Sequence, residues 1–185
     1  MSDMSVADHQ ANQQKEQAIL ACLSELGITT ETHHHAPIFT VEEGHHLHAQ
    51  IPGGHCKTLF LKDKNAQYLL VVMLGDQRLD MKALQKSDQL PTKRLSFASA
   101  ERMQNILGVS PGSVTPFCLM NVSLYMQDND LDLTVVLDKH MMDHDQLNYH
   151  PLHNGATTTI AREDLLKFIR HFGFEPVIMD FKALS

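Results

Sequence analysis

The sequence predicts one α+β domain built on a mixed β-sheet with helices beside it. Helical and strand-like runs follow one another without strict β-α-β alternation, which points away from a parallel doubly wound sheet. The 185 residues, 43% of them hydrophobic, are enough to bury a single core. No internal repeat and no linker-like stretch divides the chain. Residues 1–12 read as a flexible tail and 13–185 as the domain.

Taken in order, Ala18, Ile19, Cys22, Leu23 and Leu26 recur at helical spacing up to Gly27, a helix with a glycine stop. Residues 28–35 alternate weakly. Thr40-Val-Glu-Glu43 carries the pattern in which a threonine and a glutamate satisfy each other's orphan backbone donors, so a short helix is expected from Thr40. Thr58–Asp63 and Gln67–Leu74 are rich in apolar and β-branched residues and flank a polar turn, which predicts a central hairpin. Asp80 is placed to cap a helix through Leu84. Leu95–Ala98 reads as a short strand, and Ser99–Leu107 as a helix stopped by Gly108. Two prolines and two glycines make residues 108–116 an irregular loop. Strands are expected at Phe117–Met120, Thr134–Asp138, Ala156–Ile160 and Val177–Phe181, and a helix at Arg162–Phe172 before Gly173.

Composition excludes several classes of function. No apolar run approaches the ~18 residues of a membrane span, and the polar, acidic N-terminus is unlike a secretory signal, so a cytoplasmic, membrane-free protein is expected. A formal charge of -7 opposes broad electrostatic capture of nucleic acid, DNA included, although a local basic patch is compatible with it. Cys22, Cys56 and Cys118 are an odd, unpaired set, expected as free thiols.

The chain has no Gly-x-Ser-x-Gly elbow, no phosphate-binding glycine loop of the P-loop or dinucleotide type, and no His-Glu-x-x-His. Its thirteen histidines include His33, His34, His35, His45, His46 and His48, but consecutive strand histidines face opposite ways and no cysteine or carboxylate completes a ligand set; no metal is expected. Cys56 lies between His55 and Lys57, yet neighbours on a strand diverge, so a half-buried strand thiol is the simpler reading than an activated nucleophile. Lys57 enters an apolar strand pair, where its ammonium must reach solvent or an anionic partner. Gly112-Ser-Val-Thr-Pro116 could turn successive backbone N–H groups toward an oxyanion, or could be an ordinary turn. The backbone of His150 is extended by Pro151, in a pocket or a loop alike, and Asp138 could merely end its strand.

Five segments in this order, His35-Ala-Pro-Ile-Phe-Thr-Val-Glu-Glu43, Lys57-Thr-Leu-Phe-Leu-Lys-Asp63, Gly108-Val-Ser-Pro-Gly-Ser-Val-Thr-Pro116, Val135-Val-Leu-Asp138 and His150-Pro-Leu-His-Asn154, resemble the YbaK/ProX family, relatives of the bacterial prolyl-tRNA synthetase editing domain. The likeness runs from about His33 to Phe181 and is greatest to the ProX/PrdX branch. It implies that family's fold, with a partly barrel-like mixed sheet flanked by helices. It also implies trans-editing hydrolysis of mischarged aminoacyl-tRNA, most plausibly Ala-tRNA(Pro), with Cys or Ser as alternative aminoacyl groups and a non-catalytic aminoacyl-tRNA-binding module as a further one. The implied partner is the tRNA acceptor end, with prolyl-tRNA synthetase or an elongation factor beside it, and no cofactor is implied. Carried onto this chain, the catalytic set is Lys57, Gly112, Pro116 and His150. Thr40, Thr58, Ser113, Val114 and Thr115 would bind substrate. Members of the branch usually have asparagine after the lysine; this chain has Thr58, a single short hydroxyl in its place.

Overall fold

The organising element is a long strand, β2 (Gly54–Lys62), which joins two halves of one mixed sheet. The computed structural model describes residues 6–38, 47, 50–90 and 92–184. Along one edge β2 pairs antiparallel with β3 (Tyr68–Leu74), from Cys56↔Leu74 to Lys62↔Tyr68. The predicted turn closes this hairpin: the Asp63 carboxylate accepts backbone N–H bonds from Asn65 at 2.6 Å and Gln67 at 3.1 Å. Beyond β3 lie β5 (Leu133–Asp138) and β8 (Val177–Met179), both parallel.

The other edge of β2 is shared between two short strands. At its start, Gly54 and His55 pair parallel with Leu147 and Asn148 of β6 (Gln146–Tyr149). At its end, Leu61 and Lys62 pair antiparallel with Phe97 and Ser96 of β4 (Ser96–Phe97). Between these pairings β2 runs without a neighbour strand, so the sheet is forked. The outer half continues from β6 to β7 (Ala156–Ala161) and then β1 (Thr30–His34), each antiparallel to its neighbour.

Side-chain alternation along β3 feeds two cores. Tyr68, Leu70 and Val72 join the larger one. It is covered by α1 (Val6–Glu25) through Ile19 and Leu23, by α4 (Leu119–Tyr125) through Leu119 and Val122, and by α5 (Arg162–His171) through Leu165, Phe168 and Ile169. Phe117 sits at its centre, edge-on to Tyr149 at 5.8 Å and to Phe168 at 5.5 Å, an arrangement aromatic rings favour. Leu69, Val71 and Met73 face a smaller core closed by α2 (Met81–Gln85) and Leu95. As the sequence suggests, the Asp80 side chain caps α2, accepting from the N–H of Lys82 and Ala83. Glu16 fastens α1 to the sheet, accepting from His34 at 2.8 Å and His153 at 2.7 Å.

Several expectations are revised. The first helix starts at Val6, within the stretch read as a tail. Residues 117–120 are not a strand: Pro116–Cys118 is a 3₁₀ turn that runs into α4. Pro116 occupies the first helical turn, where its missing N–H costs nothing, and the Thr115 hydroxyl accepts from the Phe117 N–H at 3.2 Å. A four-residue apolar run carries no periodicity that separates a buried strand from a buried helix. The helix after the Ser99 cap begins as α3 (Ala100–Arg102) and widens to a π-helical turn at Met103–Leu107. The last strand stops at Met179, followed by a 3₁₀ turn over Phe181–Leu184. Strand β6 has no counterpart in the sequence reading. Thr40 and the helix expected from it lie outside the described residues.

Candidate active site

The fork in the sheet holds a cavity of about 290 Å³. Its floor is the stretch of β2 between its two short neighbours, Cys56–Phe60, which pairs with β3 along its other edge. One bank is the end of β6 with His150; the other is Phe97 of β4; the loop carrying Pro111, Gly112, Val114 and Thr115 closes over it. The structure thus brings Lys57, Thr58, Gly112, Val114, Thr115 and His150 to one cavity. Ser113 and Pro116 do not line the cavity: both are buried in the loop's base, where they shape it.

The loop's geometry follows from its sequence. Ser110-Pro-Gly-Ser113 is closed by a hydrogen bond from the Ser113 N–H to the Ser110 carbonyl at 3.1 Å, with Gly112 at φ +89°. Proline second and a positive-φ glycine third are what a type II turn requires. The bond leaves the Ser113 N–H committed within the turn, and the Thr115 N–H is directed at the Cys118 sulfur. Of the N–H groups expected to face an oxyanion, those of Gly112 and Val114 remain without a protein partner among the described residues.

His150 is held by its backbone-directed nitrogen. Nδ1 lies 2.8 Å from the Ala156 carbonyl, an acceptor only, so Nδ1 carries the proton and the neutral ring presents the Nε2 lone pair. Burial lowers its pKa below the usual histidine value, aided by the neighbouring His35 and His153, against the opposing pull of the Ala156 bond. The His35 ring is 6.0 Å away. The adjoining strand is equally constrained: Asn148 donates to the Pro52 carbonyl at 3.0 Å and accepts from the Thr159 hydroxyl at 2.6 Å.

Lys57 reaches across the hairpin, and its ammonium donates to the backbone carbonyls of Gly75, at 2.9 Å, and Gln77. It therefore pins the loop after β3 while bringing a positive charge to the cavity wall. The Thr58 hydroxyl is buried and has no hydrogen-bond partner among the described residues. Cys56 is not activated: burial pushes its thiol up to about 12, with Asp138 adding to the rise and hydrogen bonds from Tyr149 and Asn148 opposing it, so the nucleophilic thiolate is essentially absent at neutral pH. Asp138 does end its strand. It is fully buried, and burial raises its pKa despite the 3.0 Å bond it accepts from the Met141 N–H.

Three wall residues were not picked out in the sequence: Asn148, Tyr149 and Phe97. Only pairing with β2 brings them to the site, and neither short strand has a periodic signature. Among the described residues no three His, Cys, Asp or Glu side chains are grouped to hold a metal ion; His45, His46 and His48 lie outside that description. Nor is any described helix long and apolar enough to cross a membrane.

A forked mixed sheet around such a pocket defines a single-domain α+β protein of the trans-editing fold. A solved structure of a proposed trans-editing enzyme for prolyl-tRNA synthetase superposes with a TM-score of 0.66 over 90% of this chain and 95% of that one, at 17% identity. Residues 35–168 match the aminoacyl-tRNA editing domain family, and the chain belongs to it. It is 36% identical to the prolyl-tRNA editing protein ProX of Acetoanaerobium sticklandii, over 85% of this chain and 92% of that protein. It is 35% identical to the prolyl-tRNA synthetase associated domain-containing protein 1 of Bos taurus, over 86% and 91%. Family and relatives make the protein an aminoacyl-tRNA deacylase.

Proposed function

We propose that the forked pocket hydrolyses the ester between a small amino acid, alanine before others, and the 3′ end of proline tRNA, releasing the amino acid and free tRNA. The observation that carries this reading is that one cavity is lined both by His150, whose neutral imidazole keeps an acceptor nitrogen, and by Gly112 and Val114, whose N–H groups are uncommitted among the described residues.

An aminoacyl ester is already activated, so the protein has to orient it and stabilise the tetrahedral oxyanion. Water adds to the acyl carbon, the bond to the ribose oxygen breaks, and that oxygen takes a proton as it leaves. The loop N–H groups face the developing oxyanion. His150 Nε2 accepts a hydrogen bond from the attacking water or from the terminal ribose 2′-hydroxyl, which helps activate the water. Lys57 adds positive charge near the terminal phosphate or sugar, and no side chain acts as nucleophile. The Thr58 hydroxyl meets the substrate's carbonyl or terminal adenosine in place of the family's carboxamide. The family resemblance assigns Thr40 to the aminoacyl end of the substrate, and Ser113 and Pro116 hold the loop in shape.

Sparing of proline would rest on steric exclusion of its ring, because one methylene in a pocket that accepts both is worth only about 1–3 kcal/mol of discrimination. The editing unit extends beyond the matched core at both ends, because Ile19 and Leu23 of α1 on one side and Met179 and Phe181 on the other are part of the packing. It works in the cytoplasm on acceptor ends presented by prolyl-tRNA synthetase or an elongation factor. Deacylation of Ala-tRNA(Pro) measured beside Pro-, Cys- and Ser-charged tRNA(Pro) tests the reading. Rapid release of alanine with proline spared is expected; Cys or Ser released faster than Ala would reassign the substrate. The unpartnered Thr58 hydroxyl supports one rival, a binding module that no longer cleaves. Tight binding of Ala-tRNA(Pro) without turnover would establish it.

A further inference from the structure

A substrate whose ester lies in the fork has to leave through its mouth, and the two banks differ there. Three aromatic rings line the cavity. Phe60 and Tyr149 are buried within it, whereas Phe97 is 57% exposed at the rim. A large apolar ring held largely in solvent on a two-residue strand has no packing role that explains it, and it also lines the cavity.

The surface around Phe97 is also charged differently from the rest of the chain. Lys62 pairs with Ser96 beside it, and the Lys64 N–H donates to the Lys93 carbonyl at 2.9 Å, which brings the loop after β2 against the segment leading into β4. Arg94 follows directly and Arg102 lies one turn beyond the Ser99 cap. Five cations thus border one short strand in a protein of net charge -7, and none of them is in an ion pair among the described residues. Of the acidic groups on these segments, Asp63 is buried, its carboxylate engaged by the N–H groups of Asn65, Gln67 and Lys93, and Glu101 is exposed beside Arg102.

We infer that β4 and the end of β2 form the docking face for the single-stranded 3′ end of the tRNA, with Phe97 stacking on the terminal adenine and Lys62, Lys64, Lys93, Arg94 and Arg102 meeting the phosphates behind it. The inference rests on the aminoacyl-tRNA reading of the pocket. Bases of any identity stack on aromatic faces, and nearby cations track the backbone, the combination that single-strand binding uses. A local basic face in an acidic chain restricts contact to the acceptor end and leaves the body of the tRNA to other proteins.

Binding of an uncharged acceptor-stem minihelix ending in CCA, followed by fluorescence anisotropy beside the same minihelix lacking its terminal adenosine, tests this without requiring turnover. Phe97→Ala is expected to weaken the CCA probe about tenfold and to change the shortened probe little, while Phe97→Trp binds within about twofold of the unaltered protein. Lys93→Glu with Arg94→Glu should weaken both probes alike and flatten the salt dependence. Equal loss of both probes in Phe97→Ala, or no loss, would overturn the stacking assignment, the latter assigning the exposed ring to a protein contact. Parallel deacylation assays separate the two levels. Adenosine-dependent binding without hydrolysis of any charged tRNA sinks the functional reading alone, and hydrolysis with binding indifferent to Phe97 sinks the docking face alone.

Discussion

The two banks of the fork are built on opposite terms. On the β6 side the polar side chains that line the cavity are tied down: Asn148 between Pro52 and Thr159, Tyr149 on the Met141 sulfur, and His150 on the Ala156 carbonyl. On the β4 side two residues of strand carry an exposed ring, with cations on the segments around it. A fixed bank suits chemistry, because reacting groups gain from preorganisation. An open bank suits capture of a flexible, charged chain end, because stacking and phosphate contacts tolerate variation. The separation is possible because β2 exchanges one neighbour strand for another along a single edge.

The change most damaging to this arrangement lies where β6 meets β2. Gly53 has φ +105°, and a Cβ there would stand 2.7 Å from the Gln146 carbonyl oxygen, which is backbone and cannot swing aside. Gly53→Ala combines a strained conformation with a backbone clash, and a loss of about 3 kcal/mol in unfolding free energy, read as a lower urea denaturation midpoint, is expected. Activity should fall with it, since the bank that carries His150 is displaced. An unchanged midpoint would show that β6 is free to slide, and the picture of a fixed bank would go.

The next largest effect concerns His150. His150→Ala should reduce the deacylation rate constant about a hundredfold in single turnover, in the range for a positioned proton acceptor. The pH dependence gives an independent check. The ring's folded pKa lies below its ordinary value of 6.5, so the neutral form persists through neutrality and the rate should decline only as the pH falls below that value. The same shift makes the folded state bind fewer protons than the unfolded state in that window. The associated stability is therefore complete above about 6.5 and is lost as pH falls through the folded pKa. An acid limb retained in His150→Ala would assign it to another group.

What could be read from the sequence follows the same division. The β2–β3 hairpin, the Asp80 cap and the turn-forming Pro111-Gly112 were legible because local chemistry decides them: alternation, a carboxylate before a helix, a proline followed by a positive-φ glycine. The cavity floor and roof come from those segments. The banks were legible only in part. The short strand expected at Leu95–Ala98 contains β4, but its pairing with β2 could not be read, and Gln146–Tyr149 is too short for periodicity and gains its strand character from pairing with β2 at long range. Phe117–Met120 shows the same lesson from the other direction, since proline and threonine at its start outweigh an apolar run that suits either structure. His150 could be noticed beside Pro151, but its tautomer depends on a carbonyl in β7.

The smallest expected effect bears on the floor between the banks. The Thr58 hydroxyl is buried and has no hydrogen-bond partner among the described residues, so it bears a desolvation cost that no hydrogen bond to them offsets. Thr58→Val keeps the branched shape and removes that group. The substitution should raise stability by about 0.5–1 kcal/mol, read as a higher melting temperature. If the hydroxyl meets the bound ester or its adenosine, the same substitution should slow deacylation about fivefold, because a contact made only with substrate is lost. Opposite signs on stability and rate are what a site residue gives and a packing residue does not. A gain in stability with the rate untouched would place substrate recognition entirely on the two banks. A loss of stability would mean that the hydroxyl finds a partner in solution, a water bridge for instance, and the floor would then belong with the fixed bank.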